Sequence, residues 1–188
     1  MAMVTGRAMK KNLLAVILLT LSPLGSSWVR VSSGKEFLTP KEIEKIQDAQ
    51  EIEDRVKVYM EAARLRLETA QERLEGKESE PGDPLEFYTP DEMVDGYYRI
   101  IRSVMFNIDE AYQKHNADQD RFVKALKNLK GTTEWAGRVL ASLKKTAEEK
   151  RNEALWNAVN QAIDITSGAH EGAELGLSKK SSPPSRKK

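Results

Sequence analysis

From Thr39 to Glu75 the chain reads TPKEIEKIQDAQEIEDRVKVYMEAARLRLETAQERLE, with no glycine and no proline after Pro40. Such a run folds as helix, because its residues tolerate helical backbone and none of them enforces a turn. Thr39-Pro40-Lys41-Glu42 is a capping box with proline at the first helical position. The Thr39 hydroxyl is placed to accept from the amide of Glu42, and the Glu42 carboxylate to accept from the amide of Thr39. Leu38 and Ile43 flank it as a hydrophobic staple. Beyond the cap, Ile46, Ala49, Glu53, Val56, Met60, Ala63, Leu67, Ala70 and Leu74 recur in steps of three and four, the spacing of a helix that packs lengthwise against others. The expectation is one continuous helix, about 54 Å long at ~1.5 Å per residue. Glu53 is the one charge on its seam. It reads as a glutamate that leans out, or pairs with Arg55, Lys57 or another helix, rather than as a buried functional carboxylate.

The rest of the chain supplies partners for that seam. Residues 75–88, EGKESEPGDPLEFY, form a loop, because Pro-Gly-Asp-Pro cannot continue a helix. Leu85, Phe87 and Tyr88 are expected to pin this loop over one end of a bundle, and loops of this length are often functional. Thr89-Pro90-Asp91-Glu92 repeats the earlier helix start, with Tyr88 and Met93 in the staple positions. A second helix follows to about His115, with Val94, Tyr97, Ile101, Val104, Ile108, Ala111 and His115 on its seam. A third runs from about Asp118 to Glu148 on Phe122, Leu126, Leu129, Thr133, Ala136, Leu140, Leu143 and Ala147, with a weak point at Gly131-Thr132-Thr133. A break in the apolar rhythm at Glu148–Asn152 separates a fourth, which reaches about Gly172 on Leu155, Ala158, Val159, Ala162, Ile165 and Ala169; with no glycine or proline between them, one continuous helix is the alternative. The fold class expected is all-α: an antiparallel bundle of about four long amphipathic helices.

The start of the chain reads as an export signal. Arg7, Lys10 and Lys11 precede a short apolar core, Leu13 to Leu21, and Ser22-Pro23 ends it. Small residues then allow cleavage after Ser27 or after Ser33. The apolar core is too short to span a bilayer comfortably, so no transmembrane segment is expected in the mature chain. The domain reading is therefore a signal peptide at 1–27, an extension at 28–38, a helical bundle at 39–177 and a disordered basic tail at 178–188. An exported protein, periplasmic or extracellular, with no cysteine has no disulfides and relies on its apolar core. It also has no Cys-x-x-Cys-His for haem attachment.

Net charge of the whole chain is +1, yet the distribution is uneven. Between residues 28 and 177 there are 22 basic against 29 acidic residues. The tail carries Lys179, Lys180, Arg186, Lys187 and Lys188 with no acid; it reads as a solubilising tail, with contact to anionic lipid or cell-wall polymers as the alternative. An acidic body argues against a nucleic-acid partner.

Catalytic chemistry is hard to place on this sequence. A di-iron bundle needs Glu-x-x-His on facing helices. Glu110 and His115 are five apart, and His170 has Thr166 and Ser167 at the helical offsets. No catalytic, cofactor-binding or metal-ligating residue is therefore assigned, and no cofactor is expected. Phe87, Tyr88, Tyr97 and Tyr98 are the candidates for lining a small ligand pocket beneath the 76–88 loop, against a competing role as staple and core.

Leu38-Thr39-Pro40-Lys41-Glu42 resembles the LTxxQ motif of the Spy and CpxP family of small, all-helical periplasmic proteins. Glu42 stands where that family has glutamine, and Tyr88-Thr89-Pro90-Asp91-Glu92 only echoes a second copy. The resemblance covers five residues and implies a chaperone or envelope-stress role. No functional residues are carried over from it. Three function classes follow. The first is an interaction or scaffold protein of the cell envelope, with a protein partner or self-association. The second is a periplasmic chaperone. The third is a ligand-binding or enzymatic bundle with its site under the loop.

Overall fold

The computed structural model describes residues 36–113 and 118–181. These form five helices and no strand: α1 (Pro40–Asp48), α2 (Ile52–Leu74), α3 (Pro90–Gln113), α4 (Gln119–Glu149) and α5 (Glu153–Ser181). The segment read as an export signal, His115, and the tail beyond Ser181 lie outside the described residues.

The helix starts follow their sequence signals closely. Thr39 N donates to Glu42 Oε2 at 2.7 Å and Glu42 N to Thr39 Oγ1 at 3.2 Å, closing the capping box. At α3, Thr89 N donates to Glu92 Oε2 at 2.9 Å, with the return bond at 3.4 Å. Asp118 caps α4 by accepting from Asp120 N and Arg121 N. The turn before α5 is made by Arg151 in left-handed backbone (φ 51°), and the Asn152 side chain accepts from Leu155 N at 3.0 Å.

One continuous first helix is not what forms. Ala49 leaves helical geometry at φ −72°, ψ 96°, and Glu51 is extended at φ −91°, ψ 147°, so α1 folds back over α2. The physical reason is tertiary. Phe37, Leu38 and Ile46 pack against the core, and Glu42 meets Arg66, 24 residues further on. In a straight helix those two residues would stand about 36 Å apart. Burial and one ion pair thus override a run of good helix formers. The Ala49 carbonyl freed by the break accepts from Arg55 Nη2 at 3.0 Å and Nε at 3.2 Å.

The four longer helices make the bundle. α2 packs on α3 and α4, and α5 packs on α3 and α4, so α2 lies diagonal to α5 and α3 to α4. The sequence hairpins α2–α3 and α4–α5 run antiparallel, as expected. The uniformly antiparallel arrangement does not hold, because α3 and α4, consecutive in the chain, stand diagonal to each other. Arg121 at the start of α4 reaches Asp54 at the start of α2, and Lys150 at the end of α4 donates to Leu74 O at the end of α2. α2 and α4 are therefore parallel neighbours.

The core is the set of seams. Val56, Met60, Ala63, Leu67, Val94, Tyr97, Ile101, Val104, Phe122, Leu126, Leu140, Leu143, Leu155, Val159 and Ala162 are all buried. Glu53 does lean out of its seam, pairing with Lys124 of α4 at 3.5 Å. α4 runs unbroken through Gly131-Thr132-Thr133, where the Thr133 hydroxyl bonds back to the carbonyls of Leu129 and Lys130. α5 extends past Gly172 to Ser181, so its last turn takes in the first residues of the segment read as a disordered tail.

Candidate functional site

Arg66 is the residue that sequence reasoning missed. It lies beside the seam residue Leu67, in a stretch, AARLRL (62–67), whose apolar residues are too many for a single stripe. That excess is the signal that a charge there is enclosed. The Arg66 side chain is 1% exposed. Its Nη1 donates to Glu42 Oε1 at 3.0 Å and its Nη2 to Glu42 Oε2 at 2.7 Å, a bidentate pair, with a further bond from Nη2 to Phe37 O at 2.9 Å. Gly96 of α3 leaves room for its stem, which would touch an added Cβ at 3.6 Å. Glu42 therefore caps α1 and anchors it at the same time. Arg99 of α3 stacks its guanidinium over the Phe37 ring at 4.5 Å, fixing the chain just before the cap.

Around this anchor lies a cleft of about 280 Å³ between α1, α2 and the turn at 83–85. Val58, Ala62 and Leu65 line its α2 wall at helical spacing, and Pro84 and Leu85 close one side. Lys41 and Lys45 stand on the α1 wall, with Glu61 and Asp83 opposite. Leu65 is among the exposed large apolar side chains. Chemically this is an apolar trough with charges of both signs at its edges, suited to an amphipathic segment rather than to bond making.

The four aromatic candidates do not converge there. Tyr97 is fully buried, its hydroxyl 2.7 Å from Thr166 Oγ1 of α5. Burial pushes its pKa above the ordinary value, the Thr166 bond opposing only in part. Tyr88 is half-buried and donates to Glu36 O at 2.7 Å. Tyr98 is half-buried on α3. Phe87, expected to pin the loop, is 80% exposed; Leu85 takes that role and is buried. Arg73 ties the loop down from α2, donating from Nη2 to Ser79 Oγ, Leu85 O and Glu86 O.

A second cluster lies between α4 and α5. Thr133 Oγ1 is 3.2 Å from His170 Nδ1, and His170 Nε2 is 3.6 Å from Glu174 Oε1. Lys130 pairs with Glu174 at 2.7 Å and holds that carboxyl below its usual range. The order hydroxyl–imidazole–carboxylate suggests a nucleophile with its base. The geometry does not serve one. Thr133 is 2% exposed, and its hydroxyl sits closer to two carbonyls of its own helix, at 2.9 Å, than to His170 at 3.2 Å. Among the described residues no group of His, Asp and Glu gathers with metal-ligand geometry.

Comparison with protein-family models, with curated proteins and with solved structures finds no match to this chain.

Proposed function

We propose that this protein is an exported, non-catalytic helical bundle of the cell envelope that acts by binding another protein. The observation that carries the reading is how its polar groups are used. The buried groups Arg66, Tyr97, Thr133 and Thr166 are bonded to Glu42, to one another or to backbone. What faces outward is the apolar trough floored by Ala62 and flanked by half-buried Val58 and exposed Leu65, with charges at its edges. A protein segment bound there buries the trough and pairs with Lys41, Lys45, Glu61 or Asp83. Export rests on the basic-apolar-small pattern of residues 1–27.

The same trough is the exposed apolar groove that a periplasmic chaperone needs, so specificity of the partner separates the two roles. The test is a photo-crosslinking residue at Leu65 in the tagged protein expressed in its own cells, with Leu175 as the control position. One dominant envelope protein captured from Leu65 alone supports the binding role. A crowd of unrelated unfolded proteins supports the chaperone. Equal capture from both positions overturns both readings.

A further inference from the structure

We infer that α1 is an exchangeable arm, and that a second copy of this chain supplies Glu42 to Arg66 when the hinge at Ala49–Glu51 straightens. The observation behind this is a conflict between local sequence and fold. Asp48-Ala49-Gln50-Glu51 contains no glycine or proline, and alanine, glutamine and glutamate are among the better helix formers. The heptad spacing continues across it from Ile46 and Ala49 to Val56 and Met60. Yet the backbone is extended there, and Glu51 gives α2 no side-chain cap. The bend is held from outside, by Arg55 on the Ala49 carbonyl and by the contacts of α1 itself.

Those contacts all cross the hinge. Glu42 on Arg66, the Phe37 carbonyl on Arg66, the Phe37 ring under Arg99 and the Glu36 carbonyl on Tyr88 each join the arm to the body. None of α1's own nine residues is fully buried. A straightened hinge turns α1 and α2 into one helix, which carries Glu42 out of reach of its own Arg66. The bidentate pair and its neighbours then re-form only with another copy, and every bond made within one chain has the same partner between chains. An open arm without a partner leaves a buried guanidinium bare, which is strongly unfavourable. Opening therefore ends in a dimer, with each copy completing the other's Arg66 site.

The test uses the full chain. ¹⁵N-labelled and unlabelled protein are unfolded together, refolded at high concentration, and sized by light scattering. A zero-length carbodiimide then joins lysine to carboxylate across the trough, Lys41 or Lys45 to Glu61, and mass spectrometry reads the isotope pairing. The expected result is a dimer whose α1–α2 cross-links include labelled–unlabelled pairs. Arg55→Ala removes the support of the bend and raises the dimer fraction. Gln50→Pro forbids the straight helix and weakens the dimer by about a hundredfold or more; Ala49 before it already has the extended backbone that a following proline requires. A chain that stays monomeric at every concentration, Arg55→Ala included, overturns the inference. So does a dimer whose α1–α2 cross-links are all within one isotope. Neither outcome depends on whether an envelope partner binds the trough.

Discussion

Removing the carboxylate of Glu42 tests the anchor of α1 most directly. Glu42→Ala strips a bidentate partner from a guanidinium that is 1% exposed, and opens the capping box as well. Breaking a buried pair by deleting one partner costs ~3–5 kcal/mol, and a lost cap adds about 1 kcal/mol. The Glu42 side chain retains some contact with water, 14% exposed, so the lower end of the range applies: about 3–4 kcal/mol in all. For a domain of this size that lowers the melting temperature by on the order of 10 °C. The informative comparison is the double variant Arg66→Met with Glu42→Gln. Methionine fills the apolar space without a charge, and glutamine keeps the capping geometry. The double variant should therefore be more stable than Glu42→Ala alone, by about 2 kcal/mol or more. Urea unfolding followed by circular dichroism compares the parent, Glu42→Ala and the double variant. If Glu42→Ala melts with the parent, or the double variant is the less stable, the pair is not what seats α1.

Three further outcomes follow from the packing. Tyr97→Phe forfeits the Thr166 bond and costs about 1 kcal/mol near neutral pH. In the parent the folded state holds the Tyr97 proton past the usual 10.0 while the unfolded chain releases it there. Stability should thus fall as pH rises above ~10, more steeply than in the phenylalanine variant, and melts between about pH 9 and 11 read the difference. Gly96→Ala should stabilise by ~0.5–1 kcal/mol, since its Cβ meets Arg66 at an ordinary 3.6 Å and alanine favours helix. Gly176→Ala should not give that gain, because its Cβ would stand 2.8 Å from Leu126 Cδ1 and displace it. Leu67→Ala and Leu140→Ala, both fully buried, should each cost ~2–5 kcal/mol in the same unfolding assay. A variant that melts with the parent refutes the seam on which it sits.

The bundle was readable where a local rule and the tertiary outcome agree. Every residue placed on the α4 seam, from Phe122 to Ala147, is buried, because a three-four spacing of apolar residues has one face to bury. Both Thr-Pro-x-Glu starts form capping boxes for equally local reasons. The bend at Ala49–Glu51 was not readable, because its cause lies in residues remote in sequence: Arg66 and the core beneath Phe37 and Leu38. Arg66 itself was hidden by the habit of reading arginine as surface. The aromatic pocket drawn from Phe87, Tyr88, Tyr97 and Tyr98 grouped residues by sequence nearness, whereas α3 sends Tyr97 inward to Thr166 and leaves Phe87 outside on the loop. The trough joins α1, α2 and residues 83–85, a neighbourhood that only the fold-back creates.

The diagonal placement of α3 and α4 also shapes the electrostatics where α2 and α4 meet. Parallel neighbours align their peptide dipoles, so the amino ends of α2 and α4 bring two partial positive charges to one end and two partial negative charges to the other. The side chains offset this. Glu53 and Asp54 occupy the first turn of α2, and Asp120 the first turn of α4 with Asp118 as its cap. At the opposite end Arg73 lies in the last turn of α2, and Lys150 places its ammonium on the Leu74 carbonyl at 2.8 Å. Acids at the amino ends, together with the opposite dipole ends that antiparallel α3 and α5 bring to each pole, let two like-directed helices sit side by side. Replacing Glu53, Asp54 and Asp120 by lysine would set positive side chains against the positive dipole ends of α2 and α4.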